Sequence, residues 1–575
     1  MKLTPSAGAM LPRSVQSLRH YSWRLFAADA VAGVTVGLVA LPLAMAFAIS
    51  SGMPPQAGIY CAVVAGFLIS ALGGSQVQIG GPTGAFVVVV SGIVAKYGTD
   101  GLFMCTLMAG VVLILLGVTG LATAVKYFPR SVVIGFTNGI AVLIASTQIK
   151  DFFGLRIAAV PGEFIARLQA LAANWNTLSG PTTAVALGAL AIILLLVRVS
   201  RRIPATIVAL VGGTAVAALY GLPVETIGSR FGDLPSGLPS LVMPSFHASL
   251  ILPLLSPTFT IAMLGAIESL LSAVVADRMT GGKHNPNVEL VAQGVANVFS
   301  PLVGGLPATG AIARTATNIR AGARTPVAGM IHALTLLTVL LVAAPLANHI
   351  PLCVLAAILM VVAYNMGAWD EIPDILRLSP ADIAVWLITF ALTVFADLTV
   401  AVEAGMILAA LVYIRKVTTT TTVARVTAEY VQAGFAHSLQ TNTLPEGVAV
   451  YRIHGPFLFG STDKLDVVEK DLPSLPRVVV LRLRNMTAID GTGVQALETL
   501  AGKLHQTGRS LLLCGVRDQP SRLLARAEFD RRIGPENLQP TLEAGIRRAR
   551  EILSSPAGSN PAGGAPGGTD PGRAV

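Results

Sequence analysis

One carboxylate, Glu268, lies inside the apolar stretch TIAMLGAIESLLSAVV at 260–275. A charge at the centre of such a stretch is costly in lipid and is as a rule kept for function. Two chemistries suit it: neutralisation by a proton, or coordination of Na+ together with Ser269 and Ser272. Arg314 stands four residues beyond Gly310 and puts a fixed positive charge in a second apolar region. It suits an anion, alone or while also pairing with Glu268. Around these charges the chain breaks twice in the same way. The first break reads Gly80-Gly81-Pro82-Thr83-Gly84-Ala85, the second Gly305-Leu306-Pro307-Ala308-Thr309-Gly310-Ala311. Each holds Thr-Gly-Ala, each precedes an unusually short apolar stretch, and the two triplets are 226 residues apart. A single Gly/Pro break would only kink a close-packed helix. A matched pair in two halves of a chain instead points to a binding site between two interrupted helices. Their N-terminal N–H groups and positive dipole ends would meet there, a combination that favours an anion.

The elements that must position these residues are membrane spans. Of the 575 residues 53% are hydrophobic and 12% charged, with a mean hydropathy of +0.70. A soluble chain carries roughly 25% charged residues. The charges are unevenly spread. Residues 1–416 hold 22 basic and 15 acidic residues, whereas the much shorter 417–575 hold 18 and 15. A lipid-solvated part is therefore joined to a water-solvated one. The Gly and Pro content, 57 and 35 residues, is tolerated in transmembrane helices. Disordered, collagen-like and small secreted scaffolds are excluded. The N-terminus, MKLTPSAGAMLPRS, lacks a cleavable signal, so the first span is expected to be retained.

Candidate spans lie near 29–50, 57–73, 83–95, 101–120, 131–149, 181–199 and 203–220, then near 254–277, 286–303, 311–319, 326–346, 351–366, 380–395 and 398–414. Seven plus seven makes an α-helical polytopic membrane protein with 14 spans. A repeat of seven spans must be inverted in its second copy. Lys2, Arg13, Arg19 and Arg24 precede the first span, and Arg415 and Lys416 follow the last, so both termini are expected in the cytoplasm. The breaks with Lys126 and Arg130, with Arg198, Arg201 and Arg202, with Arg278 and Lys283, and with Arg320 and Arg324 then fall on that side too. The net charge of +10 thus reports orientation and not nucleic acid. Glu289, Asp397 and Glu403, near span ends, read as interfacial or gating groups. Asp277, Arg278, Lys283 and His284 read as a solvated loop. Cys61, Cys105, Cys353 and Cys514 are spaced for neither a metal nor a disulfide framework and read as small buried hydrophobes. No catalytic triad, H-E-x-x-H or P-loop is present, so neither a hydrolase nor an ATP-driven pump is supported.

The expected organisation is a cytoplasmic segment at 1–28, a transport domain at 29–416 with repeats at about 29–199 and 254–414, a linker at 417–445, an α/β domain at 446–553 and a disordered tail at 554–575. In the α/β domain Val448–Ile453, Val478–Leu483 and Arg509–Cys514 read as strands, with helices near 462–471, 493–506, 519–528 and 541–553. The loop Asp490-Gly491-Thr492-Gly493 opens one helix. Asp490 or Thr492 would cap it, and Thr492 is a candidate for a regulatory phosphate.

Several blocks together resemble the sulfate permease (SulP) family of anion transporters with a C-terminal STAS domain. They are LPLAMAFA at 41–48, Gly81-Pro82-Thr83, AIESLLSAVVADRMTGGKH at 266–284, PATGAIARTATN at 307–318 and FADLTVAVEAG at 395–405. The resemblance runs from about 25 to 553. Its last three blocks are most similar to the bacterial branch that includes a C4-dicarboxylate transporter. It implies core and gate domains, a homodimer in the bacterial inner membrane, and elevator-like alternating access. Carried over position by position, it puts Phe47, Thr83, Gly310, Ala311 and Arg314 around the anion, and the breaks add Gly84, Ala85 and Thr309. It matches Glu268 and Ser272 to the coupling-cation site of Na+-dependent relatives. Those relatives have Asp where this chain has Glu268, and many members have Gln at Leu43 and hydroxyl residues at Ala311 and Ala313. The longer Glu268 favours a proton over Na+, and the less polar pocket favours an organic anion over sulfate. The expectation is a proton-coupled importer of sulfate or a C4-dicarboxylate. Na+-coupled bicarbonate transport and uncoupled exchange or channel conduction are the alternatives. Expected partners are the small anion, membrane lipid, a second copy and a cytoplasmic regulator of the STAS domain. No cofactor and no nucleic acid are expected. STAS domains resemble anti-sigma-factor antagonists, whose phosphorylated residue is a Ser or Thr after an Asp; here that position would correspond to Gly491 or Thr492.

Overall fold

A computed structural model describes residues 11–19, 21–123, 129–157, 160–199, 204–233, 237–242, 245–396, 398–426 and 444–555. Asp397, Lys126, Arg201 and Arg202 lie outside them, as do most of the segment read as linker and nearly all of that read as tail. The chain divides into two compact units, Met1–Ala409 and Ala410–Val575.

The first unit is helical. A short α1 (Arg13–Leu18) precedes α2 (Trp23–Ser50), α3 (Pro55–Leu72), a two-residue strand β1 (Gly80–Gly81), α4 (Gly84–Val118), α5 (Arg130–Phe153), α6 (Phe164–Ala173), α7 (Gly180–Val199), α8 (Ala205–Leu219) and α9 (Ile227–Phe231). The second half repeats the order with α10 (Ile251–Thr280), α11 (Pro286–Phe299), strand β2 (Thr309–Gly310), α12 (Ile312–Arg320), α13 (Val327–Ala347), α14 (Leu352–Met366), α15 (Ile372–Ile375), α16 (Pro380–Phe395) and α17 (Leu398–Thr420). Among the described residues eight helices are long and apolar enough to cross a membrane. Gly98, at φ 70°, divides α4 where the sequence pattern separates two spans. With that division, each of the fourteen stretches read from hydropathy is a helical segment. The chain is a multi-pass helical membrane protein.

The helices form two bundles. In one, α11 packs on α4 and α3, α13 on α2 and α3, and α10 on α4 and α12. In the other, α5 packs on α14 and α16, and α7 on α8 and α14. Small residues allow the close crossings that helices in lipid need. A Cβ on Gly110 would lie 2.7 Å from the Gly294 carbonyl oxygen, and one on Gly294 would lie 2.5 Å from that of Gly110. The four cysteines are free and buried.

The second unit holds a five-stranded sheet in the order β3 (Thr422–Arg425), β4 (Val448–Phe457), β5 (Val478–Ile489), β6 (Ser510–Cys514) and β7 (Leu538–Gln539). β4 to β7 pair in parallel, and β3 runs antiparallel on the β4 edge. Alternate residues face two layers. Tyr451, Leu481 and Leu513 pack with Leu497 and Leu500 of α19 (Gly491–Gln506), after the short α18 (Asp466–Lys470). Val450, Val480 and Leu512 pack on the opposite face with α22 (Leu542–Ser554), which follows α20 (Asp518–Arg526) and α21 (Phe529–Ile533). β3 comes from the segment read as linker, because four residues flanked by a threonine run carry too little alternation to register as a strand.

Candidate functional site

β1 and β2 cross each other where the two breaks meet. They pair antiparallel, Gly80 opposite Gly310 and Gly81 opposite Thr309, and the Ala311 N–H donates to the Ile79 carbonyl at 2.8 Å. Backbone outside a helix must find partners inside a membrane protein. Each break supplies part of the other's hydrogen bonding, and polar side chains supply the rest. Asn297 of α11 donates to the Ala308 carbonyl and accepts from the Ala308 N–H, both at 2.8 Å. Thr315 accepts from the Ile79 N–H at 3.0 Å, and Asn318 donates to the Val77 carbonyl at 2.9 Å. Thr309 donates to the Gly265 carbonyl at 2.9 Å, and Gln78 to that of Ser269 at 3.1 Å.

Two helices start from this crossing, α4 at Gly84 and α12 at Ile312. Some helix starts are capped by side chains: Ser22 accepts from Leu25 N–H, Asn285 from Asn287 and Val288, and Ser379 from Asp382, whereas those of α3, α5, α8, α13 and α14 are not. The starts of α4 and α12 have no side-chain cap. Thr83, at the cap position of α4, turns its hydroxyl away and donates to Glu268 Oε2 at 2.9 Å. Ala311, at the cap position of α12, has no oxygen to offer. Two helix N-termini with orphan N–H groups thus face one region.

Arg314 is buried in the first turn of α12 and its guanidinium donates to the Pro82 carbonyl of the other break. Gly81 has φ +142°, and a Cβ there would lie 2.8 Å from Arg314 Nη1, so glycine is needed both for the backbone and for the arginine. Glu268 is half-buried on α10, and no ion pair joins it to Arg314 among the described residues. Ser272, one turn on, is fully buried and bonds the Thr315 hydroxyl at 3.0 Å. Glu268 and Ser272 therefore share a face of α10 but hold different partners.

Phe47 and Ala85 are buried here too. A Cβ on Gly84 would meet Phe47, Ile144 and Met366, which marks an apolar wall shared with the second bundle. Ile144, Met366 and the polar scaffold of Gln78, Asn297, Thr315 and Asn318 were not singled out from sequence. Gln293 and Asn297, four apart in an apolar helix, were the available signal.

The remaining polar candidates are scaffold. Glu289 is fully buried and accepts from the Gly74 and Ser75 N–H groups at 2.9 and 3.1 Å. Asp29 of α2 accepts from Arg324 N–H at 2.8 Å and from Thr325. Glu403 accepts from Ser256 of α10 at 2.9 Å. Asp277 bonds His284 Nδ1 at 2.7 Å. In the second unit Asp490 accepts from Gly493 N–H at 2.8 Å and so caps α19, while Thr492 is exposed in its first turn.

Residues 26–389 match the model of the sulfate permease family, and 441–545 match that of the STAS domain. The Bacillus subtilis (strain 168) protein YvdB, named for sulfate transport, is 39% identical over 522 residues, spanning 90% of this chain and 97% of its own. The bicarbonate transporter BicA of Picosynechococcus sp. is 31% identical over 555 residues, 93% of this chain and 96% of its own. The transmembrane domain of a cyanobacterium BicA superposes with a TM-score of 0.61 at 36% identity, covering 66% of this chain and 98% of that one. The murine Slc26a9 anion transporter in its inward-facing state gives a TM-score of 0.84 over 96% of both chains, at 18% identity, a likeness of fold alone.

Proposed function

The chain belongs to the sulfate permease family, and we propose that it is a proton-coupled importer of a divalent anion, sulfate or a C4-dicarboxylate. The observation that carries this reading is the meeting of two helix starts, α4 and α12, held together by β1 and β2 beside the buried Arg314. Orphan N–H groups, two dipole ends and a guanidinium make a desolvated anion pocket without any metal or cofactor. Phe47, Thr83, Gly84, Ala85, Thr309, Gly310 and Ala311 surround it, with the Thr309 and Ala311 polar groups occupied in holding the crossing.

Glu268 is the coupling group. Its Thr83 hydrogen bond ties it to the start of α4, so gain of a proton at Glu268 changes the pocket's charge at its edge. Ser272 supports α12 through Thr315. The bundle carrying the pocket slides against the other, an elevator-like exchange, in a homodimer of the bacterial inner membrane with both termini cytoplasmic. The C-terminal domain docks a cytoplasmic regulator, with exposed Thr492 the place for a phosphate. Na+-coupled bicarbonate transport is the second reading, favoured by the 31% identity to BicA.

Purified protein in liposomes should take up sulfate or succinate under an inward proton gradient, with bicarbonate, fumarate and aspartate ranked by competition. Arg314→Ala should fold and lose uptake; undiminished uptake would sink the pocket assignment. Glu268→Gln should remove the pH dependence. Uptake governed by Na+ and indifferent to pH would replace the first reading by the second.

A further inference from the structure

A cavity of about 870 Å³ opens between the two bundles; its lining holds neither β1, β2 nor Arg314 but reaches Val88 and Val89, one turn beyond Gly84. It is lined where α2, the first part of α4 and α5 end and where α10 begins, the end of the bundle opposite the start of α2. Its charges are unbalanced. Lys96, Lys150, Arg167 and Arg230 face it, against Asp151 and Glu163. Asp151 is already engaged by Arg230, at 2.7 and 3.2 Å, Glu225 stands behind the wall on the same Arg230 at 2.5 Å, and Glu163 is an exposed residue just before α6. Lys96, Lys150 and Arg167 have no carboxylate within ion-pair distance among the described residues.

Arg167 is the notable member. It is 4% exposed, and its guanidinium is fixed by the Pro161 carbonyl at 3.1 Å, the Gly162 carbonyl at 2.6 Å and the Ser146 hydroxyl at 2.9 Å. These neutral partners position the charge without cancelling it. Lys150 lies one turn beyond Ser146 on the same face of α5, so both cations stand on one wall. Lys96, its ammonium 5.1 Å from the Tyr97 ring centre, lines the cavity from α4.

We infer that this cavity is a capture site, in which Lys96, Lys150 and Arg167 hold a carboxylate or oxyanion before it reaches Arg314. The inference rests on the anion-transport reading above. A cleft lined by one sign of charge within low-dielectric walls concentrates counter-ions and raises association rates by about 10- to 1,000-fold, falling as salt rises. With both termini cytoplasmic, the cavity faces outward and serves uptake alone.

The test uses the full chain in vesicles of both orientations, with sulfate or succinate as substrate. Lys96→Gln/Lys150→Gln should raise KM for uptake from the outer face by roughly 3- to 10-fold, flatten its ionic-strength dependence and leave the maximal rate and the inner-face KM unchanged. Lys96→Arg/Lys150→Arg should restore the wild-type values, which a purely structural role for the amines would not require. Unchanged KM and salt profile, or an equal rise from both faces, would overturn the inference. A second measurement needs no transport: millimolar sulfate should protect Lys96 and Lys150 from acylation, read by mass spectrometry, even in Arg314→Ala. Absence of protection would overturn the capture site. Protection in a wild-type protein that moves no anion would overturn the transport reading instead.

Discussion

Gly81→Ala tests the pocket at the scale of one methyl group. Alanine at φ +142° is strained by about 1–3 kcal/mol, and its Cβ would push Arg314 from the Pro82 carbonyl. Uptake should fall by more than about tenfold, as a misplaced positioning group implies, while thermal unfolding in detergent shifts by only a few degrees. Uptake near wild type would show that Arg314 does not need its present seat. The residues that make this site differ in legibility. Glu268 and Arg314 stood out because charge inside an apolar run is anomalous whatever the fold. Gly80, Gly81, Thr309 and Gly310 stood out because the same break occurs twice. Asn297, Thr315 and Asn318 did not, since an uncharged polar residue in a span is common and its backbone partner lies far away in sequence. Nor did Ile144 and Met366, which only the packing of the second bundle brings beside Gly84.

At the scale of elements, a charge cluster joins the loop between α8 and α9, α9 itself and the end of α5. Arg230 joins Glu225 at 2.5 Å and Asp151 of α5 at 2.7 Å. The Arg230 hydrogen bond is the largest influence on Glu225 and holds its carboxyl below the usual range, against the opposing effect of burial. A depressed carboxylate contributes stability that is complete above its unfolded value, about 4.3, and is lost as pH falls through the lower folded value. Protection factors at α9, exchange rates corrected for the intrinsic pH dependence of amide exchange, should therefore be flat from pH 7 to about 5, as the unfolded carboxylate value implies, and fall only below. Glu225→Gln should erase the acid limb, and an acid limb kept in that variant would assign it elsewhere. Elements were legible where one rule governed them. Twenty apolar residues in lipid can only be a helix, but β3 and β7 are too short for periodicity and exist because β4 and β6 offer edges.

The division into two bundles belongs to the whole molecule and could not be read from hydropathy, which counts spans without pairing them. Polar contacts join the bundles beside the cavity between them, Ser256 with Glu403 at 2.9 Å and Ser50 with Gln148 at 3.1 Å. If transport requires sliding, a Ser256→Cys/Glu403→Cys pair should cross-link under mild oxidation, stop uptake, and recover fully on reduction. Uptake that continues in the cross-linked protein would refute sliding at this contact.

The β1–β2 pairing gives the two halves of the membrane unit the relationship of subunits. Gly80 and Gly81 find their strand partners only in Gly310 and Thr309, and Arg314 of one half closes on Pro82 of the other. Among the described residues, the chain that joins the halves between α9 and α10 supplies none of those contacts. A chain cut there and produced as two pieces should reassemble and carry anion, whereas neither piece alone should bind any. In that sense the protein is an obligate heterodimer written as one polypeptide, and its pocket is a subunit interface.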